Sequence, residues 1–434
     1  MKKSEKSSSN HKRTLCTKFE LNKRSAKSTF LNQPFTITPT SKSLLNKQNI
    51  LITLSDNNRE HGRLPLELVC NILSWLPIED LLRFKSVCKC WRDEINTPYF
   101  INSHIRRIKN NNEANSSTSS LVIVFSSKYN ILMSIDFHSP ENTKVRPITP
   151  NISLDNPYLV GSSIGLLCFT HLEYSMSKEN QTRSFSLYNP ITGASKLIPK
   201  LEPLNPNLRN GFGYDCTSGD YKILCLATDQ EDFMTTYTCV YSLKNNSWKV
   251  NMDEPCPYLC GNIPWSSCMV LSNNALHFIA SEKLIAFDLV SERFHEIQLP
   301  SDQVISCIQP FELANLRGCL HLVTLNAIWT MKEYGVQQSW TKLFCFSQAN
   351  YCALFDRTIL GQRRIMPYAY SKDGREILVT LATRHNMFFR LDIESREFKK
   401  LEISSLPKDW EYWAHSGDAM PWVGSFVYPS FELF

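Results

Sequence analysis

From about residue 120 onward the chain repeats itself. Short apolar or aromatic runs, cut by Asn, Asp, Ser, Pro and Gly, recur in groups of three: an apolar strand, a second strand ending in a polar turn, and a third often opened by an aromatic. The first three groups are 121–125, 131–136 and 144–148; 165–169, 185–190 and 196–199; 221–226, 239–243 and 248–250. The next three are 275–280, 284–289 and 294–300; 319–324, 327–331 and 340–344; 376–381, 388–393 and 398–401. Measured at the middle strand, positions 135, 188, 241, 287, 329 and 391 are 53, 53, 46, 42 and 62 residues apart. A unit this small cannot bury its own apolar face, so each must stack on the next. A β-sandwich is not expected to repeat one composition six times.

A loose period of about 50 residues fits the blades of a kelch-like β-propeller, each blade a small antiparallel sheet. Six units are recognisable, and a seventh stays open because residues 410–434 either add a blade or close one.

Ahead of the repeats lies a helical module. Leu68, Val69, Ile72, Leu73, Trp75 and Leu76 spread over half a helical wheel, while Glu67, Asn71 and Ser74 share a narrow polar strip. Such a helix needs cover on two sides. Pro65 suits its first turn and Pro77 stops it. A following helix through Phe84, Val87, Cys88, Trp91 and Ile95 is amphipathic, with Lys85, Lys89, Arg92 and Asp93 opposite. Thr97-Pro98 reads as an N-cap and first-turn proline opening a last helix through Phe100, Ile101 and Ile105. About 45 residues bury too little surface to be robust alone, so the surplus leucines imply a permanent partner. The chain is therefore expected to be α+β and multidomain: a basic tail at 1–62, a small all-α module at 63–108, a linker at 109–119, and an all-β propeller at 120–434.

The runs Leu64-Pro65-x-Glu67-Leu68, Ile72-Leu73-Ser74-x-Leu76-Pro77 and Asp80-Leu81-Leu82-Arg83-Phe84-Lys85-Ser86-Val87-Cys88-Lys89-x-Trp91 closely resemble the F-box. That resemblance implies docking onto a Skp-type adaptor in a cullin-RING ubiquitin ligase. Carried onto this sequence, it assigns adaptor contact to Leu64, Pro65, Leu68, Ile72, Leu76, Pro77 and Leu81; for Val87, Cys88 and Trp91 the reading is an ordinary helical core. Trp75 stands where a polar residue is common, which leaves its contacts open. In the repeats, Tyr188-Asn189-Pro190-Ile191-Thr192-Gly193, Gly211-Phe212-Gly213-Tyr214-Asp215, Val240-Tyr241-Ser242-Leu243-Lys244, Ser291-Glu292-Arg293-Phe294 and the run from Ile328 to Gly335 are similar to the F-box-associated domain of plant F-box/kelch proteins. The similarity covers roughly residues 155–405. In that family the propeller is the substrate receptor, and the target differs from member to member.

Net charge is +6, yet residues 1–60 hold 12 Lys and Arg against 4 Asp and Glu, and the remainder 35 against 37. The basic excess belongs to the tail. Its Ser, Asn and Lys content cannot repay ordering, so residues 1–62 are expected to be disordered. A nuclear localisation signal, a nucleic-acid arm, a transit peptide and a plain solvated tail all fit that composition. The expectation is no nucleic-acid partner, no secretory signal and no membrane span, and a site of action in the cytoplasm, the nucleus or both. The fifteen cysteines are dispersed, often inside apolar runs, as small buried hydrophobes are in a reducing compartment. Asn-x-Ser/Thr sequences such as Asn151-Ile152-Ser153 are then expected to go unused.

No catalytic residue, metal ligand or cofactor is expected. His277 and His321 hold equivalent repeat positions, which puts them on different blades rather than around one ion. Cys256-x-x-x-Cys260 and Cys88-x-Cys90 lack a second ligand pair. Gly211-x-Gly213 is too short for a nucleotide fingerprint and reads as turn glycine. No His-Glu-x-x-His, Gly-x-Ser-x-Gly or phosphate-binding loop occurs. The reading is a substrate-recognition subunit that bridges a ligase and an unknown target protein. A kelch-type oxidase, or an F-box scaffold acting outside a ligase, stands as the alternative. The long mixed connections at 253–267 and 346–370 carry aromatics and arginines, and Trp265, Arg363 and Arg364 are the expected target contacts.

Overall fold

The computed structural model describes residues 65–113, 121–126, 131–136, 157–174, 181–201, 205–228, 236–251, 269–280, 282–301, 311–347, 365–381, 384–401 and 419–429. The basic tail and the strand expected at 144–148 lie outside them. Residues Pro65–Phe434 belong to one unit, which holds everything described below.

Four helices come first: α1 (Leu66–Leu73), α2 (Ile78–Phe84), α3 (Lys89–Ile95) and α4 (Pro98–Glu113). Pro65 and Pro77 stand at the N-caps of α1 and α2 with φ of −51° and −57°, the value a proline ring presets for helix entry. The single second helix expected from the sequence is broken. Cys88 is extended, with φ −154°, and its sulfur accepts the Trp91 backbone N–H at 3.4 Å, so it caps α3. A side chain that can satisfy a helix-start donor favours a new helix over continuing the old one. The break leaves Cys88 exposed and Val87 51% exposed, so neither is core; Trp91 is buried, edge-on to Phe84. Thr97 caps α4 as its sequence suggests, accepting from the Phe100 N–H at 3.2 Å. That helix runs on into the stretch expected as a linker.

Among the described residues, 23 strands form six antiparallel sheets. Five sheets take four strands each in chain order. The first of these holds β3 (Pro157–Ser163), β4 (Leu166–Tyr174), β5 (Gln181–Tyr188) and β6 (Ser195–Leu197); the next, β7 (Asn205–Asp215), β8 (Asp220–Thr228), β9 (Thr236–Ser242) and β10 (Ser247–Asn251). Then come β11 (Val270–Ser272), β12 (Ala275–Ala280), β13 (Lys283–Asp288) and β14 (Arg293–Ile297), and β15 (Glu312–Leu316), β16 (Cys319–Val323), β17 (Ala327–Met331) and β18 (Trp340–Cys345). The last four are β19 (Ile365–Tyr370), β20 (Glu376–Leu381), β21 (Arg384–Asp392) and β22 (Phe398–Leu401).

The sixth sheet joins the two ends of the domain. Here β1 (Leu121–Ser126) pairs with β2 (Ile131–Asp136) on one side and with β23 (Ala419–Pro421) on the other. Val122, Ile123 and Val124 face Pro421, Met420 and Ala419. Around the axis the inner strands lie side by side in the order β23, β3, β7, β11, β15, β19 and back to β23. The ring is closed among the described strands, and residues 419–421 close a blade rather than add one.

Each of the last five sequence repeats turns out to be the outer three strands of a blade, and the first supplies β1 and β2. The inner strands β3, β7, β11, β15 and β19 escaped because they are short or carry Gly, Asn and Pro, which read as turns. Crowding near the axis explains the glycines. A Cβ at Gly211 would lie 2.8 Å from Met269 Cβ, one at Gly213 would lie 2.7 Å from Leu271 Cδ1, and one at Gly161 would lie 2.9 Å from Phe212 Cβ. Gly211 and Gly213 are therefore not turn glycines; they sit within β7 and let neighbouring blades approach.

The core lies between blades. Leu224 and Leu226 of one sheet meet Leu276, Phe278 and Phe287 of the next, and that pattern continues through Ile279, Leu322 and Trp329, then Ile328, Val379 and Leu391. Strands in the middle of a blade are covered on both faces, so β12 is buried at every position while the outer β14 is mostly open. One buried cation crosses the same layer: Lys222 reaches Glu292 at 3.0 Å and Asp215 at 3.4 Å. Burial raises the Asp215 carboxyl, but hydrogen bonds from Ser218 and Thr217 outweigh it and hold the group below its ordinary value.

Candidate functional site

Helix α1 has two apolar stripes and only one is covered. Val69, Cys70 and Leu73 are buried within the protein. On the other side Leu68, Ile72 and Trp75, at spacings of four and three, are 47%, 46% and 61% exposed. Leu66, Leu82 and Val87 are further large exposed apolar residues of the module. Monomers seldom leave such residues contiguous without a partner. Helix α4 fixes the end of this stripe. The Arg107 guanidinium lies 4.0 Å over the Trp75 ring and donates to Asn71 Oδ1, while His104 Nε2 donates to the Leu76 carbonyl at 3.1 Å. Burial lowers the His104 imidazole, against the opposing pull of that carbonyl. Burial and the neighbouring Glu94 push the Cys70 thiol up to about 12, so it is an inert packing group.

Of the residues assigned to adaptor contact, Pro65, Leu68, Ile72 and Pro77 are exposed and Leu76 is half-buried. Leu81 is different. It is 0% exposed and packs inside the chain, so it offers no surface to a partner and supports α2 instead. Leu64, Trp265, Arg363 and Arg364 lie outside the described residues. Leu66, Trp75, Leu82 and Tyr99 are exposed apolar positions that sequence reasoning did not assign, and Val87 is one it had placed in the core. The signal for Trp75 was present, since it continues the Leu68–Ile72 stripe one turn on.

The two repeat histidines tie blades together. His277 Nδ1 donates to the Val270 carbonyl at 3.1 Å, which leaves Nε2 of a neutral ring to accept the Tyr334 hydroxyl at 2.8 Å. His321 does the same with the Cys319 carbonyl at 2.9 Å and Tyr370 at 3.1 Å. Burial holds both imidazoles down to about 4. Each tyrosine belongs to the following blade, so the pairs act as inter-blade clasps. Among the described residues, no group of three or more His, Cys, Asp or Glu is arranged to hold a metal. Among the same residues, no helix is long and apolar enough to cross a membrane.

Two family models align with this chain. The F-box domain matches residues 62–103, and the F-box associated beta propeller domain matches residues 120–422. The chain belongs to the F-box-associated propeller family. The F-box match spans α1 to α3 and enters α4, and the propeller match ends just past β23, so the family domain includes the strand that closes the ring. An F-box/kelch-repeat protein of Arabidopsis thaliana is 29% identical over 298 residues, covering 64% of this chain and 78% of the relative. The F-box protein CPR1 of the same plant is 26% identical over 385 residues, covering 80% and 86%. The present F-box protein thus carries both matched modules, the F-box ahead of the propeller, and is similar over most of its length to F-box proteins of that plant.

Proposed function

We propose that this F-box protein is the substrate-recognition subunit of a Skp-cullin-F-box ubiquitin ligase. Its helices dock on the Skp-type adaptor, its propeller holds the target protein, and other subunits carry out the transfer of ubiquitin. The observation that carries this reading is the uncovered stripe Leu68, Ile72 and Trp75 on a helix whose opposite stripe is already buried. A reducing compartment, cytoplasm or nucleus, suits the nine described cysteines, all of which are free thiols. For the target we retain Trp265, Arg363 and Arg364 as contacts, because aromatics and arginine dominate interface energetics.

Capture of the full chain by a recombinant Skp-type adaptor tests the first half. Leu68→Ala together with Ile72→Ala should abolish capture, since anchors of this kind are often worth about 2 kcal/mol or more each, while the melting transition stays in place. Undiminished capture by the folded double variant would overturn the proposal. For the second half, Arg363→Glu with Arg364→Glu should weaken target capture and leave adaptor capture alone; equal target capture would move the recognition face elsewhere.

A further inference from the structure

Residues 422–427 follow directly on β23, the strand that closes the propeller, and they are built into both halves of the molecule. On the propeller side, Trp422 joins Leu132, Leu159, Leu167, Phe169 and Tyr188 in the layer between the first and second blades. The Asn189 side-chain amide donates to the carbonyls of Ser425 and Val427 at 2.9 and 2.6 Å. Ser425 Oγ donates to the Ile164 carbonyl at 2.8 Å, in a turn where Ile164 has φ +37°, a conformation a β-branched residue rarely takes. Ser425 is 0% exposed and Phe426 2%. This segment is core, not a trailing end.

Its other side meets the docking helices. Ile78, the first residue of α2, is buried, and its Cγ2 would lie 2.8 Å from a Cβ at Gly424, so only glycine fits there. Lys85, at the C-cap of α2, places its ammonium 3.6 Å from the centre of the Phe426 ring and donates to Asn96 Oδ1 at 2.6 Å. Burial lowers that amine to about 8, as expected for a half-buried ammonium. The sequence pattern had put Lys85 on a polar face; packing against Phe426 gives it a different task. Both contacts leave Leu68, Ile72 and Trp75 exposed, so the joint and the docking stripe do not compete.

We propose that residues 422–427 are the joint that fixes the propeller's orientation relative to the adaptor-docking helices, with Gly424, Phe426 and Lys85 as its positioning residues. The inference rests on the ligase reading for its purpose, because a receptor must present its target at a set place on the assembly. Relative motion is the default for domains joined by chain alone. Here the segment that grips the helices follows directly on the strand that closes the propeller, so the ring's completion and the module's orientation are coupled through a few residues.

The test is single-molecule energy transfer in the full chain, with dyes introduced through unnatural amino acids at Tyr99 and Val290, both exposed and remote in sequence from the joint. The wild-type chain should give one narrow distance. Gly424→Val and Lys85→Glu should each lose it and give a broad distribution, with adaptor capture unchanged and a cooperative melt retained. Lys85 lies on the helical side, so Lys85→Glu decides the matter even if Gly424→Val fails to fold. A broad distribution in the wild type, or variants as narrow as the wild type, would overturn the joint. Because the distance is read without the adaptor, failure of adaptor capture by the wild type would strike the ligase reading and not this one.

Discussion

The helical module and the propeller treat apolar side chains in opposite ways. Of the ten large hydrophobic residues that stand exposed among the described residues, seven lie in the helical module and three, Tyr158, Leu197 and Val290, on the far larger propeller. A closed ring gives every middle strand two neighbours, so Leu224, Phe287 and Leu391 are 0% exposed without help from another protein. Four short helices have no second layer to turn to. The propeller is complete as folded, whereas the helices carry a face that only a partner can cover, and the division of labour between receptor and docking module follows from that.

The contrast can be broken most severely at the ring's closure. Removing residues 419–434 strips β23 from the first blade and Trp422 and Ser425 from the second; the expected outcome is loss of the cooperative melting transition, followed by circular dichroism. A chain that still melted cooperatively would show that the other blades hold themselves. Next in size is Phe287→Ala, which empties a site 4.9 Å from the Phe294 ring and should destabilise the protein by about 3–5 kcal/mol in denaturant titration.

Acid should act on the propeller through its clasps. His277 and His321 are held at about 4 against an ordinary 6.5, so the unfolded chain takes up protons between those values and the folded one does not. Stability is full above about pH 6.5 and falls as the pH drops toward about 4, by up to roughly 3 kcal/mol for each imidazole. Melting curves across that range should flatten in His277→Gln; an unchanged slope would mean that other groups carry the acid response.

Trp75→Ala sharpens the comparison from the other side. Its ring is 61% exposed and meets the Arg107 guanidinium closely, so folding stability should move by no more than about 1 kcal/mol, while adaptor affinity should fall by about 2 kcal/mol in calorimetry. The reverse pattern would make Trp75 a structural residue and undo the contrast at its centre. The smallest change is a gain. Serine caps helices better than a thiol, so Cys88→Ser should strengthen the start of α3 and raise stability by up to about 1 kcal/mol.

What could be read from the residues was whatever depends on near neighbours along the chain. Helix starts at Pro65 and Thr97, the two-sided character of α1, and the middle strands of the blades are all local patterns, set by a 3.6-residue period or by burial on both faces. The repeat showed six such units and left a seventh open, which the pairing of β23 with β1 then decided. Tertiary structure decided what depends on residues far apart in the chain. Gly211 and Gly213 are small because Met269 and Leu271 press on them across a blade boundary, and no local pattern in β7 says so. Val87 left the core because a cysteine cap broke a helix that periodicity alone would have continued. Lys85 faces Phe426, and Asn189 holds Ser425 some 236 residues away, because closing a ring brings the last strand beside the first. Periodicity fixes which face of an element is apolar; only the packed molecule determines whether that face meets another blade, the closing segment, or a partner.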